Sequence, residues 1–139
     1  MPHRIRVLCV DDNQLVADAL RRVLDARPDM RWVGWLPDAR EVLPAVERLK
    51  PDVVLLDVDM PHRSAFDALA ELTERAPEVS AIILSGHTRK ELVERAVEAG
   101  AMGYLSKNEG TGVILDAILR VRQGELCLGT EADAAFHGQ

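Results

Sequence analysis

The sequence predicts an α/β domain, a doubly wound (βα)5 parallel sheet with strand order 2-1-3-4-5. Three observations carry this. Short apolar runs alternate with segments of helical periodicity along the chain. Several runs, such as VVLL and AIIL, are apolar at every position, so both faces must be covered, as in parallel strands flanked by helices. Polar residues close the runs: Asp11 and Asp12 after IRVLCV, Asp57 after VVLL, Ser85 after AIIL, and Lys107 just after MGYL. In an open parallel sheet such strand ends share one edge, where these folds bind ligands.

The elements follow in order. Ile5–Val10 reads as the first strand. Leu15, Ala19, Leu20, Val23 and Leu24 recur at helical spacing, with Asn13 placed to cap and Pro28 past the end. The second strand is predicted over 31–36, bulky with Trp32, Val33 and Trp35. One helix is predicted over 38–49 along Val42, Val46 and Leu49, with Pro44 near its first turns and Pro51 beyond. Residues 53–56 form the third strand, and Ala65–Arg75 the helix after it, on Phe66, Leu69 and Leu72. Residues 79–84 and 102–105 are the fourth and fifth strands. The helices at 91–99 and 111–123 are closed by Gly100 and Gly124. The last stretch, GTEADAAFHGQ, has weak periodicity. It reads as a fraying tail or the start of a linker, dividing the chain into 1–124 and 125–139.

Size and composition narrow the classes. A chain of 139 residues suits one compact domain. Two cysteines, Cys9 within a strand and Cys127 near the end, imply no disulfide framework and fit a reducing cytosol. The first apolar run is too short for a secretory signal, and nothing approaches a membrane span, so a cytoplasmic location is expected. The formal net charge is -6 without a basic block, which argues against nucleic-acid binding by this stretch.

Strand order 2-1-3-4-5 makes the first and third strands neighbours, so Asp11, Asp12 and Asp57 converge. Three carboxylates in one pocket repel and raise one another's proton affinity. A hard divalent cation relieves this and prefers oxygen ligands, so Mg2+ is expected, with Mn2+ as the alternative. Asp12 and Asp57 are the direct ligands, Asp11 assists, and the backbone carbonyl of Asp59 completes the protein's share. Asp57 is the candidate nucleophile, since a carboxylate attacking phosphorus gives an acyl phosphate. Lys107 supplies positive charge and Ser85 a hydroxyl for the phosphoryl oxygens. Taken singly each residue has a plainer reading, as turn former, cap or solvated side chain. Their convergence on one edge favours chemistry.

These residues resemble the receiver domain of bacterial two-component response regulators, whose fold is flavodoxin-like. Asp11 and Asp12 match the family's acidic pair. Asp57 in LLDVDMP matches the phosphoacceptor, Ser85 the hydroxyl after strand four, and Lys107 the lysine after strand five. Tyr104 falls at the switch aromatic, within EAGAMGYLSKN. The likeness covers residues 4–123, and ILRVRQGELCL is most similar to the LuxR/NarL-type subfamily.

The resemblance implies a phosphorylation switch. A sensor histidine kinase or phosphotransfer protein donates a phosphoryl group to Asp57, in a Mg2+-dependent transfer that the domain itself catalyses before slowly hydrolysing the product. Ser85 is drawn inward, Lys107 pairs with the phosphoryl oxygens, and Tyr104 moves into space that Ser85 partly vacates. A partner or homodimer surface then changes. Control of transcription, and DNA contact, would lie in a separate effector domain. Asp59 and His87 occupy positions that tune phosphoryl lifetime, and an exposed His87 is expected.

There are departures. Ala65 stands where the family has glycine, Ser64 where an acid is common, and Asn108 and Glu109 follow the lysine in place of proline. His3 and His62 lack neighbours for a metal site. Three rival readings remain: a stand-alone or phosphorylation-independent receiver-like module, a haloacid-dehalogenase-type phosphatase using Asp57 and Asp59, and a flavodoxin-like cofactor binder. The phosphatase reading suffers because its acidic motif should lie near the N-terminus. The cofactor reading suffers because DDNQ repels phosphate without metal.

Overall fold

A computed structural model of the chain describes residues 3–59 and 64–138. The elements run β1 (Ile5–Val10), α1 (Gln14–Asp25), β2 (Met30–Leu36), α2 (Val42–Leu49), β3 (Val53–Asp57), α3 (Ala65–Arg75), β4 (Ser80–Ser85), α4 (Lys90–Glu98), β5 (Gly103–Ser106), α5 (Thr111–Val121), β6 (Cys127–Leu128) and α6 (Thr130–His137). Among the described residues the strands form one parallel sheet in the order β2-β1-β3-β4-β5-β6.

Strand alternation sorts the core into two layers. Leu8, Val10, Val54, Leu56, Ala81, Ile83 and Tyr104 face a layer closed by α2, α3, α4 and α6. Val7, Cys9, Val53, Leu55, Ile82, Leu84 and Leu105 face the opposite layer, closed by α1 and α5. The middle strands are buried on both sides, which is why their sequences are apolar throughout.

Local chemistry fixes the helix ends. The Asn13 side chain accepts the Leu15 and Val16 N–H groups and caps α1. The Ser64 hydroxyl does the same for α3 through Phe66 N at 3.2 Å. Gly100 takes φ +106 after α4, and the Thr73 side chain fills the space a Cβ would need there.

One expectation needs correction, and another is extended. The helix predicted over 38–49 is split: Ala39–Glu41 is a 3-10 turn capped by Asp38, and the α-helix begins only at Val42. Pro44 explains the break, because its ring would clash with the Arg40 carbonyl in a continuous α-helix. The order 2-1-3-4-5 also gains a sixth strand. The weakly periodic end of the chain forms β6, paired with β5 at Gly103 and Tyr104, and then α6, which packs on α4 and β5.

His3 pairs with Asp52 at 2.7 Å, at the end of the sheet remote from the acidic cluster. His62 lies outside the described residues, as do Met60 and Pro61 of the LLDVDMP motif. Among the described residues no helix is long and apolar enough to cross a membrane.

Candidate functional site

The carboxyl ends of β1, β3, β4 and β5 bring the singled-out side chains to one edge. Asp11 follows β1, its N–H donating to the Leu36 carbonyl at 3.0 Å. Its Oδ1 accepts the Asn13 N–H at 2.8 Å, and its carbonyl accepts the Trp35 Nε1–H at 2.6 Å. Asp57 ends β3, and its Oδ1 accepts the Asp59 N–H at 2.8 Å. Asp11, Asp12 and Asp57 each offer an oxygen within 4.8 Å of the others. Asp11 and Asp57 are 1% exposed, whereas Asp12 faces solvent.

This cluster is electrostatically incomplete. Asp11 Oδ2 and Asp57 Oδ2 are buried without a hydrogen-bond partner. Such atoms cost about 1–3 kcal/mol each unless a cation or donor reaches them. Burial, with the neighbouring Asp57 charge, raises the Asp11 carboxyl to a pKa of about 6, against the opposing Asn13 N–H. A donor set of carboxylate oxygens with two orphaned atoms fits a hard divalent cation. Asp11, Asp12 and Asp57 are the side chains positioned to hold it.

Lys107 borders the cluster from just beyond β5. Its Nζ lies 2.9 Å from Asp57 Oδ1 and 3.3 Å from Asp59 Oδ2. Burial disfavours its charge, but these carboxylates outweigh burial and raise its pKa. Its backbone N–H donates to the Ser85 carbonyl at 2.8 Å, tying the loop after β5 to the end of β4.

Asp59 lies two residues beyond Asp57 and reaches the site through its side chain. Its carboxylate turns to the loop after β4, accepting the Gly86 N–H at 2.9 Å and the Ser85 hydroxyl at 3.3 Å. Burial would raise its pKa, yet the Gly86 N–H and Lys107 hold it below the usual carboxylate range. Ser85 is fully buried, and its Oγ also accepts the His87 N–H at 2.9 Å. His87 is exposed and takes part through its backbone, its carbonyl accepting the Tyr104 hydroxyl at 2.6 Å. Tyr104 is completely buried. The aromatic expected to move inward therefore already stands inward while Ser85 is held by Asp59.

Sequence reasoning missed Glu109. Its carboxylate accepts the Ser106 N–H at 3.2 Å and the Thr130 N–H at 2.8 Å, joining the Lys107 loop to α6. The one sequence signal near it was the departure after Lys107, where Asn108 and Glu109 follow and proline does not.

Comparison with known proteins agrees with this architecture. A family model described as the response regulator receiver domain matches residues 7–119. An uncharacterized transcriptional regulatory protein, YxjL of Bacillus subtilis (strain 168), is 34% identical over 127 residues, 91% of this chain and 58% of that protein. The transcriptional regulatory protein DegU of Brevibacillus brevis is 31% identical over 122 residues, 88% of this chain and 52% of that protein. The chain thus spans just over half the length of these curated relatives. In three dimensions it is similar to a LuxR-family two-component response regulator from Aurantimonas sp. SI85-9A1, with TM-score 0.90 at 24% identity, covering 96% of this chain and 95% of that one. It is also similar to the receiver domain of the NarL response regulator from Mycobacterium tuberculosis, with TM-score 0.84 at 27% identity, covering 89% of this chain and all of that one. With this sheet order, this acidic edge and a family match over most of its length, the chain belongs to the response regulator receiver domains of two-component systems.

Proposed function

We propose that the domain accepts a phosphoryl group on Asp57 from the phosphohistidine of a sensor kinase or phosphotransfer protein. The observation that carries this is Asp57 Oδ2, a buried carboxylate oxygen without a partner, beside a second orphaned acid and a paired lysine. An Asp57 oxygen attacks phosphorus, the P–N bond breaks, and the imidazole leaves with the bonding electron pair. Asp11, Asp12 and Asp57, with the Asp59 carbonyl, would hold Mg2+ or Mn2+, which offsets phosphoryl charge during transfer. Lys107 neutralises the phosphoryl oxygens, and Ser85 donates to one after leaving Asp59. Tyr104 and the backbone of His87 report the Ser85 position to the loop after β4. Asp59 and the His87 side chain flank the path of the water that later attacks the acyl phosphate.

The haloacid-dehalogenase-type alternative needs Asp59 as a proton donor. Its lowered pKa, set against burial by the Gly86 N–H and Lys107, disfavours that role. Output through transcription is supported by the names of the relatives, which describe transcriptional regulators longer than this chain. In that reading residues 1–124 are the receiver and 125–139 lead toward a cytoplasmic effector domain that alone touches DNA. A homodimer is the alternative readout.

Acetyl phosphate with Mg2+ tests the proposal. Intact-protein mass spectrometry should find one added phosphoryl group, absent in Asp57→Asn. No adduct, under conditions that label another receiver, would favour a phosphorylation-independent module.

A further inference from the structure

Two loops carry the groups assigned to the phosphoryl group, and both are fastened to one end of one helix. In the loop after β5, Glu109 follows Lys107 closely and accepts the Thr130 N–H at 2.8 Å. In the loop after β4, Thr88 follows Ser85, and its hydroxyl donates to Glu131 Oε2 at 3.4 Å. Thr130 and Glu131 open α6. Gly129, just before them, donates its N–H to the Tyr104 carbonyl at 2.9 Å. Gly129 has an ordinary φ of -67, but a Cβ there would overlap the Glu109 carboxylate. The glycine is therefore needed by Glu109 and not by its own backbone.

We propose that α6 is a latch on the phosphoryl switch: Glu109 and Glu131 hold it closed in the unmodified protein, and phosphorylation of Asp57 loosens it. The proposal rests on the reading of Asp57 as phosphoacceptor. In the unmodified site Lys107 pairs with Asp57 and Asp59, and Ser85 with Asp59. A phosphoryl group on Asp57 offers both side chains new oxygens farther from the carboxyl carbon. The two loops shift together, because the Lys107 N–H is bonded to the Ser85 carbonyl. Their clasps to α6 are formed in the present arrangement, so a shift stretches them.

Besides these clasps, α6 is held by apolar packing on α4 and β5. It has eight residues, of which Ala132 is buried, while Phe136 packs half-buried on the core. A short helix with so small an apolar contact belongs to the low-stability end of a fold. Hydrogen bonds to carboxylates are then a large share of its docking. Loosening α6 uncovers the flank of α4 and β5 against which it packs. Coupling is reciprocal, so a latch that phosphorylation opens also opposes phosphorylation.

Amide hydrogen exchange on the whole chain tests this, with beryllofluoride and Mg2+ as the phosphoryl mimic. Exchange across residues 130–137 should quicken about tenfold on adduct formation, the size of one charge-assisted hydrogen bond, while β1 is unchanged. Glu109→Ala and Gly129→Ala should show quick α6 exchange without beryllofluoride. Both should also reach half-saturation at a severalfold lower beryllofluoride concentration. An adduct with unchanged or slower α6 exchange overturns the proposal, as does wild-type α6 protection in both variants. Failure to form any adduct refutes the phosphoacceptor reading, and with it the trigger. The two variants without ligand then still decide whether Glu109 latches α6.

Discussion

The Ser85 hydroxyl donates to Asp59 Oδ1 at 3.3 Å, so the hydroxyl best placed to meet a phosphoryl group is already engaged by a second acid. Lys107 is divided in the same way, between Asp57 and Asp59. On the proposed function, Asp59 would therefore compete with the phosphoryl group for both of its protein partners. Asp59→Ala is expected to tighten beryllofluoride binding about fivefold, equivalent to about 1 kcal/mol of competing hydrogen bond. Titration by tryptophan fluorescence measures this. Unchanged or weaker binding would show that Asp59 organises the loop and does not compete.

Divalent cation should stabilise the fold through the acidic cluster. At a Mg2+ concentration ten times its Kd, linkage gives about 1.4 kcal/mol, or about 4 °C in Tm for a domain of this size. Asp12→Ala removes the exposed arm of the cluster. Its Tm is expected to respond much less to Mg2+, as differential scanning fluorimetry can check. Equal responses in both proteins would remove Asp12 from the ligand set.

Asp57→Asn is expected to raise stability in metal-free buffer by about 1 kcal/mol, while abolishing the phosphoryl adduct. The substitution removes one of two neighbouring buried acids and leaves Lys107 with Asp59. Urea denaturation in the presence of chelator tests the sign. A loss of stability would mean that the Lys107–Asp57 pair outweighs repulsion between the acids.

Asp52 gives a pH dependence far from the cluster. Burial would raise its carboxyl, but the Arg6 N–H at 2.9 Å, His3 and Arg122 together bring its pKa below the ordinary 3.8. A depressed carboxyl stabilises the fold above the unfolded value and loses that contribution as pH falls through the folded one. Asp52→Asn should therefore cost about 1 kcal/mol at pH 7, a figure kept small by partial solvent exposure. The difference from wild type should shrink as pH falls below 3.8. A constant difference down to pH 2 would assign the effect to shape and not to charge.

The sequence was legible where burial and polarity meet abruptly. Asp11, Asp57 and Ser85 stood out because each breaks an apolar run at a strand end, and the sheet order then brings them together. Asn13 was legible as a cap because capping is local. Features settled by distant partners were not. β6 has only two residues, Cys127 and Leu128, and exists because β5 offers it an edge. The helix α6 is rich in alanine and charge, so its apolar face is faint until α4 and β5 are beside it. The turn of Asp59 toward Gly86 spans 27 residues and leaves no local pattern. Pro44 was visible, but its consequence for the turn at 39–41 depended on where the α-helix begins.

The Trp35 indole, bonded at 2.6 Å to the carbonyl of Asp11, gives the domain an optical gauge of its own. Indole emission responds to nearby charge and to the length of its hydrogen bond. Cation capture or phosphorylation at the adjoining acids would therefore register as a change in ultraviolet emission, read without dye or label. Trp32, three residues earlier on the same strand and paired with Val7, supplies the internal background against which that change is seen.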